Sequence, residues 1–309
     1  MQKTFTKLDF KPFSPEDKHL YEDYLFNESE RGCEFSFANM YLWGRQSFTE
    51  MNGNILFFSQ FDRRTVYPFP LGKADKKDAL DAIIEDSRAR GIPCRLTGMS
   101  HSDGEYLDSL YPGKFKFHTD RGSYDYVYDI NNLAELSGKK YHSKKNHLNK
   151  FSDTFSGYET QAITHENISI SQDFVNNWFT NKEIENPDSD YMMEKSALKK
   201  AFKHYFEIGL EGIIIVHKGK VLALTMGSRL SPDTFDIHFE KARADVNGAY
   251  AAINYEFARY IRSKYPDIMY LNREEDMGIE GLRKAKESYK PTRLVEKCWA
   301  HLLEDGYDY

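Results

Sequence analysis

The chain has 309 residues and a formal net charge of −6, with 40% hydrophobic and 29% charged side chains and with 22 Phe and 21 Tyr. This balance excludes a disordered chain and an extended basic face along a nucleic-acid backbone, so any such contact must be local; the length favours two domains over one. Cys33, Cys94 and Cys298 are scattered and form no CxxC, which excludes a disulfide framework and a zinc knuckle, and the longest aliphatic run, Ile213–Val216, is far too short for a membrane span.

The opening "MQKTFTKLDFKPF" lacks the apolar core of a signal peptide, so a cytoplasmic, reducing setting is expected. Asn54–Phe61 and Thr65–Gly72 then predict a strand pair. In "DKKDALDAIIEDSRARGIP", Leu80, Ile83, Ile84 and Ser87 fall on one helical face, Asp75 sits near the start, and Gly91 with Pro93 ends the helix. A short strand "CRLTGM", a short helix "HSDGEYLDSLYP" and a strand region "KFKFHTDRGSYDYVYDI" with a turn near Gly122 follow.

The second half repeats this order. "LEGIIIVHKGKVLALTMGSRLSPDTFDIHFEKA" reads as an antiparallel meander with turns at "HKGK" and "LSPDT". "GAYAAINYEFARYIRSKYP" is a helix with Ile253, Phe257, Tyr260 and Ile261 on one face; "IMYLN" is a strand, "IEGLRKAKESYKP" a helix and "TRLVEKCWAHLL" a last strand. Both short helices pass through tyrosine and proline into a basic strand, in "DSLYPGKFKF" and "KESYKPTRLV". The expectation is a duplicated α/β (α+β) protein with mixed sheets flanked by helices. Its domains would span 1–135 and 136–309.

The joining segment, 138–151, carries Lys139, Lys140, Lys144, Lys145 and Lys150 with His142 and His147, and no acid. Lys140 and Lys144 would share a helical face. The segment is either a solvated interdomain helix or an anion-binding wall.

No GxxxxGK[ST], GxGxxG, GxSxG or HExxH occurs, which turns the reading away from P-loop, dinucleotide, serine-hydrolase and zincin chemistry. His142 and His147 are spaced off a common helical face, and His217 and His238 read as packed or surface residues, so no metal site is expected.

Three constellations remain. Asn272, Arg273, Glu274 and Asp276 emerge where strand "IMYL" ends, the end at which open α/β sheets bind ligands. A carboxylate there could orient or deprotonate an amine or hydroxyl; alternatively Asp276 caps the next helix and Glu274 pairs with Arg273 on the surface. Glu240, Lys241 and Arg243 end the meander before Asn247 and Gly248 open a helix, where Asn247 would also suit an N-cap. Arg283 and Lys286 lie on the helix after Gly278, with Tyr289 beyond; inward they would bind phosphate or carboxylate, outward Arg283 would pair with Glu287.

"NREEDMGIEGLRKAKESYKP", preceded by the meander and "EKARADVNGAYAAINYEFARYI", resembles the C-terminal domain of phosphatidylglycerol lysyltransferases and its stand-alone relatives, and the basic "YHSKKNHLNKF" fits that family's central region. The resemblance covers most of the chain. It implies two tandem acetyltransferase-like (GNAT, acyl-CoA N-acyltransferase) domains related to the Fem peptidyltransferases. It implies transfer of an aminoacyl group from charged tRNA, or of another acyl group, to an amine or hydroxyl acceptor. The family-like positions are Lys144 and Asn146, then Asn272, Glu274, Asp276, Gly278, Leu282, Arg283, Lys286 and Tyr289. Within this sequence no run is long enough for the membrane-spanning part of a lipid-modifying synthase, and the basic, glycine-spaced pyrophosphate loop of acetyl-CoA enzymes is reduced to Lys241, Arg243 and a lone Gly248.

The resulting expectation is direct transfer within the second domain, with Glu274, Asp276 or Glu240 serving the acceptor. Lys144, Asn146, Arg243, Asn272, Arg273, Arg283, Lys286 and Tyr289 would hold donor and oxyanion. No cofactor is required beyond acyl-CoA or aminoacyl-tRNA as co-substrate; the tRNA acceptor end or coenzyme A would be the partner, with a small molecule or peptide as acceptor. Glu274→Gln and Arg283→Ala should then abolish transfer without lowering the melting temperature. The competing expectation is a degenerate, non-catalytic fold that binds a small anion or a protein.

Overall fold

Two mixed sheets organise this computed structural model, which describes residues 6–25, 31–43, 46–61, 64–180 and 189–303. By their contacts the residues group into Met1–Asp125 with Val295–Tyr309, and Tyr126–Leu294.

In the first unit the strands lie in the order Lys11–Pro12, Gln46–Met51, Asn54–Phe61, Arg64–Pro68, Arg95–Met99, Cys298–Leu302, Phe115–Thr119, with Leu71–Gly72 also on Asn54–Phe61. Arg64–Pro68 and Arg95–Met99 run parallel, which requires a crossover, and the helix Lys77–Arg90 supplies it. Its Leu80, Ile83 and Ile84 are buried as their spacing predicts, and Ser87 is buried with its hydroxyl on the Ile84 carbonyl at 2.7 Å. Ser100 and Asp103 form a capping box on helix His101–Leu110. Phe13, Tyr21, Phe37, Phe48 and Phe57 build an aromatic core in which Phe13 stacks on Phe48 at 4.4 Å.

In the second unit the order is Arg293–Val295, Asp125–Asp129, Tyr270–Asn272, Thr234–Ala242, Lys220–Arg229, Glu211–His217, Glu159–Ala162. The expected meander is present, and the parallel pair is Thr234–Ala242 with Tyr270–Asn272. Helix Ala249–Lys264 makes that crossover, burying Ile253, Phe257 and Ile261 in one core with Ile213, Ile215, Phe235 and Ile237. Helix His142–Thr154 adds Leu148 and Phe151 to it. The two helices approach so closely that a Cβ on Gly248 would lie 2.5 Å from the His147 carbonyl oxygen, at a φ of +84°.

By contacts the chain divides at Asp125 and again at Leu294. Three expectations about single elements change. The region read as one strand segment around Gly122 places Phe115–Thr119 in the first sheet and Asp125–Asp129 in the second, and the single last strand is two, Arg293–Val295 and Cys298–Leu302, again one in each sheet. Local pattern reports extended chain but not which neighbour completes its hydrogen bonds. Lys140 belongs to the 3-10 turn Lys139–Tyr141 ahead of the helix, so it does not continue a helical face with Lys144.

Candidate functional site

The parallel strands Thr234–Ala242 and Tyr270–Asn272 pair over three residues, ending at Asp236 with Asn272. Beyond that point charged side chains span the gap. Arg273 Nη2 donates to Glu240 Oε1 at 3.0 Å. Its Nη1 and Nε reach the Asn254 amide oxygen at 3.3 and 3.2 Å in the amide orientation that gives both groups a partner. The guidinium carbon of Arg273 lies 4.9 Å from the Tyr289 ring and 5.7 Å from that of Tyr128.

Lys144 joins this cluster from helix His142–Thr154, its Nζ 4.1 Å from the centre of the Tyr289 ring. It is half-buried and forms no ion pair among the described residues. Burial first, and the Arg273 guanidinium second, pull its ammonium below the ordinary lysine range, while Glu240 acts against them. Burial pushes the Tyr289 hydroxyl up to about 12, so at neutral pH it keeps its proton.

A second arrangement holds the turn between strand and helix. Glu274 adopts a φ of +57°, unusual for a residue with a Cβ. Its N–H donates to Asn272 Oδ1 at 2.8 Å, and Lys286 Nζ donates to the carbonyls of Arg273 and Glu274. Further on, buried Asp276 accepts from Arg283 Nε at 2.8 Å, Arg283 Nη2 at 3.1 Å, Tyr126 Oη at 2.6 Å and the Gly278 N–H at 2.8 Å. The Arg283 hydrogen bonds hold its carboxyl far below the usual carboxylate range.

A third cluster lies on the sheet itself. Between Met226 and Gly227 the register slips, so that Met226 faces Phe239 and Gly227 faces Ile237, leaving His238 as the extra residue of a bulge. His238 Nε2 is 2.8 Å from Ser228 Oγ, and its Nδ1 is 3.2 Å from Glu274 Oε1 and 3.4 Å from Asp236 Oδ2.

With this geometry in view, a family model described as phosphatidylglycerol lysyltransferase, C-terminal, matches residues 27–301. The chain belongs to that family. A solved protein of unknown function from Bacteroides thetaiotaomicron VPI-5482 is similar over 96% of this chain and 99% of its own, with 34% identity and a TM-score of 0.90. L-PGS from Bacillus licheniformis superposes with a TM-score of 0.66 at 15% identity, over 98% and 95% of the two chains. FemX does so with a TM-score of 0.61 at 10% identity, over 96% and 98%. The fold is the tandem GNAT-like arrangement expected from the sequence, and no helix among the described residues is long and apolar enough to cross a membrane.

Within this member of the lysyltransferase C-terminal family, the structure brings together Lys144, Glu240, Arg273 and Tyr289. It draws the other expected residues elsewhere. Glu274 turns to His238 rather than forming a surface pair with Arg273, and Asp276 is spent on Arg283, Tyr126 and its own turn. Asn272 and Lys286 hold backbone atoms at positive φ. Arg243 is a surface residue paired with Asp245 at 2.7 Å, and Asn146 is exposed on its helix. Lys241, the other relic of a phosphate loop, is paired with Glu194 at 2.6 Å and lies 4.1 Å from the Trp178 ring.

Sequence reasoning missed Ser228, Asp236, His238, Asn254 and the tyrosines Tyr126 and Tyr128. One signal was present: "DIHFE" sets Asp236, His238 and Glu240 at every second position, alternating with Ile237 and Phe239. The bulge then separates them, sending His238 to Asp236 and Glu240 to Arg273.

Proposed function

We propose that this chain transfers an aminoacyl group from the ester of a charged tRNA to an amine or hydroxyl acceptor in the cytoplasm. The observation that carries the reading is Lys144: a half-buried ammonium on a tyrosine ring, without an ion-pair partner among the described residues, beside the Glu240–Arg273 pair. Membership in a lysyltransferase-related family supports the same class of reaction.

The chemistry assigns a role to each group. Glu240 accepts the proton of the attacking amine, a carboxylate task at neutral pH. The new bond forms from nitrogen to the acyl carbon, the ester C–O bond breaks, and the proton passes to the departing 3′-oxygen of the tRNA. Lys144 faces the negative charge that gathers on the carbonyl oxygen, a stabilisation that grows in the transition state and therefore raises kcat. Arg273 fixes Glu240, and the rings of Tyr128 and Tyr289 keep both cations in place.

An aminoacyl ester is favoured over coenzyme A as donor. The two basic residues left of a phosphate loop, Lys241 and Arg243, are already neutralised by Glu194 and Asp245. Helix His142–Thr154 also packs against Gly248, where a Cβ would lie 2.5 Å from the His147 carbonyl oxygen.

The test measures release of labelled amino acid from aminoacyl-tRNA, and thiol release from acyl-CoA, across a panel of small amines, peptides and alcohols. Release from aminoacyl-tRNA is expected, and Lys144→Ala should lower kcat by about a hundredfold or more with an unchanged circular dichroism spectrum. Release from neither donor, or a Lys144→Ala variant with full kcat, overturns the reading.

A further inference from the structure

We propose that the bulge cluster of Asp236, His238 and Glu274 is a binding site for one divalent first-row transition-metal ion. Three donor atoms, His238 Nδ1 and one carboxylate oxygen each from Asp236 and Glu274, all lie within 4.8 Å of one another. Nδ1 stands 3.2 Å from Glu274 Oε1, the long end of a hydrogen bond, and 3.4 Å from Asp236 Oδ2, longer than one. Ligands bound to an ion at about 2.1 Å are separated by about 3.0 Å in octahedral and about 3.4 Å in tetrahedral geometry. The two separations from Nδ1 match that spacing, and the two carboxylate oxygens lie within 4.8 Å of each other.

The surroundings agree. A metal-ligating imidazole needs its second nitrogen held by a hydrogen bond, which fixes the ring and leaves the lone pair on the ligating atom. Ser228 Oγ stands 2.8 Å from Nε2 and can accept its proton. Asp236 and His238 are fixed on a paired strand, and Glu274 is held at its unusual φ by Asn272 and Lys286, so the three donors are positioned by backbone. One nitrogen and two carboxylates, with no thiolate, suit Mn2+, Fe2+ or Zn2+. The inference is independent of the transferase reading, because it concerns binding and not turnover.

The experiment uses the full chain, stripped with a chelator and titrated with Mn2+ alone. Calorimetry is expected to give one equivalent, and pulsed electron paramagnetic resonance to detect a directly bound imidazole nitrogen. His238→Ala should abolish the site. Ser228→Ala should weaken it by about tenfold, the usual cost of losing an outer-sphere partner. No stoichiometric binding, Mn2+ binding without a nitrogen signal, or binding that survives His238→Ala unchanged each overturns the proposal. The nitrogen signal is read on the unaltered protein, so the test stands even where a variant fails to fold.

Discussion

At the level of single residues, Asp276 and Arg283 separate what position in sequence suggests from what burial permits. Position in sequence makes Asp276 a group that serves the acceptor beyond a strand's end, and Arg283 a donor-binding group on the helix that follows. Asp276 instead receives four hydrogen bonds from Arg283, Tyr126 and Gly278 with its side chain out of contact with solvent. The local turn was legible, since Asp276 accepts from the Gly278 N–H two residues on, but it does not cap the helix: Ile279 precedes Glu280–Glu287 and no side chain caps it. The Tyr126 partner was not legible, since it stands 150 positions earlier in the chain. Asp276→Asn and Arg283→Ala should therefore each lower stability, by about 2 kcal/mol for Asp276→Asn, read as a lower urea midpoint. Stability unchanged in both would restore the ligand-binding role. The pH dependence has a definite sign. The folded carboxyl is the stronger acid, so the pair stabilises the protein fully above the unfolded aspartate value of about 3.9. The contribution is lost as pH falls below that value. Asp276→Asn should flatten this acid limb of an unfolding curve taken between pH 5 and 2, approximately the range over which the unfolded group titrates.

Among the elements, the bulge determines where the chemistry goes. Without the slip at Gly227, the alternation of Asp236, His238 and Glu240 would place all three on one face. With it, Glu240 meets Arg273 and His238 meets Ser228. Helix and strand periodicities in the sequence were sufficient for the meander and for the crossover helix Ala249–Lys264. A one-residue slip leaves no mark in hydrophobic spacing, which explains why the His238 cluster was not foreseen. Gly227 is the residue that permits it, because a Cβ there would sit 1.9 Å from the Asp236 carbonyl oxygen, a backbone atom that cannot step aside without parting the strands. Gly227→Ala is expected to cost about 3 kcal/mol or more and to change the His238 ring resonances in a nuclear magnetic resonance spectrum. A variant with the unaltered protein's urea midpoint and ring signals would mean that the bulge tolerates a side chain and does not set these positions.

Over the whole molecule, the two sheets each take a strand from beyond the sequence-drawn border, and this has a consequence for folding. Cys298–Leu302 lies between Arg95–Met99 and Phe115–Thr119, and Ala300 and Leu302 belong to the first unit's core. Just before it, Lys297 Nζ reaches Asp125 at 2.7 Å and Glu34 at 2.9 Å, with Lys297 and Asp125 nearly buried. The repeat of meander, helix, strand, helix, strand was legible because periodicity is local. The exchange of strands was not, because both candidate partners have the same pattern. A fragment 1–135 lacks Cys298–Leu302, which leaves Phe115–Thr119 without a pairing partner and opens an apolar face. It should show no cooperative urea transition. A fragment 126–294 contains every strand of the second sheet, short only of Asp125 and Val295 at two strand ends, and should unfold in one. Lys297→Met in the full chain should weaken the first unit by about 3 kcal/mol, since it leaves a buried carboxylate without its cation. The second unit's transition should be unmoved. A cooperative 1–135 fragment would show instead that the strand returning from the far end of the chain is dispensable, and with it the division at Asp125.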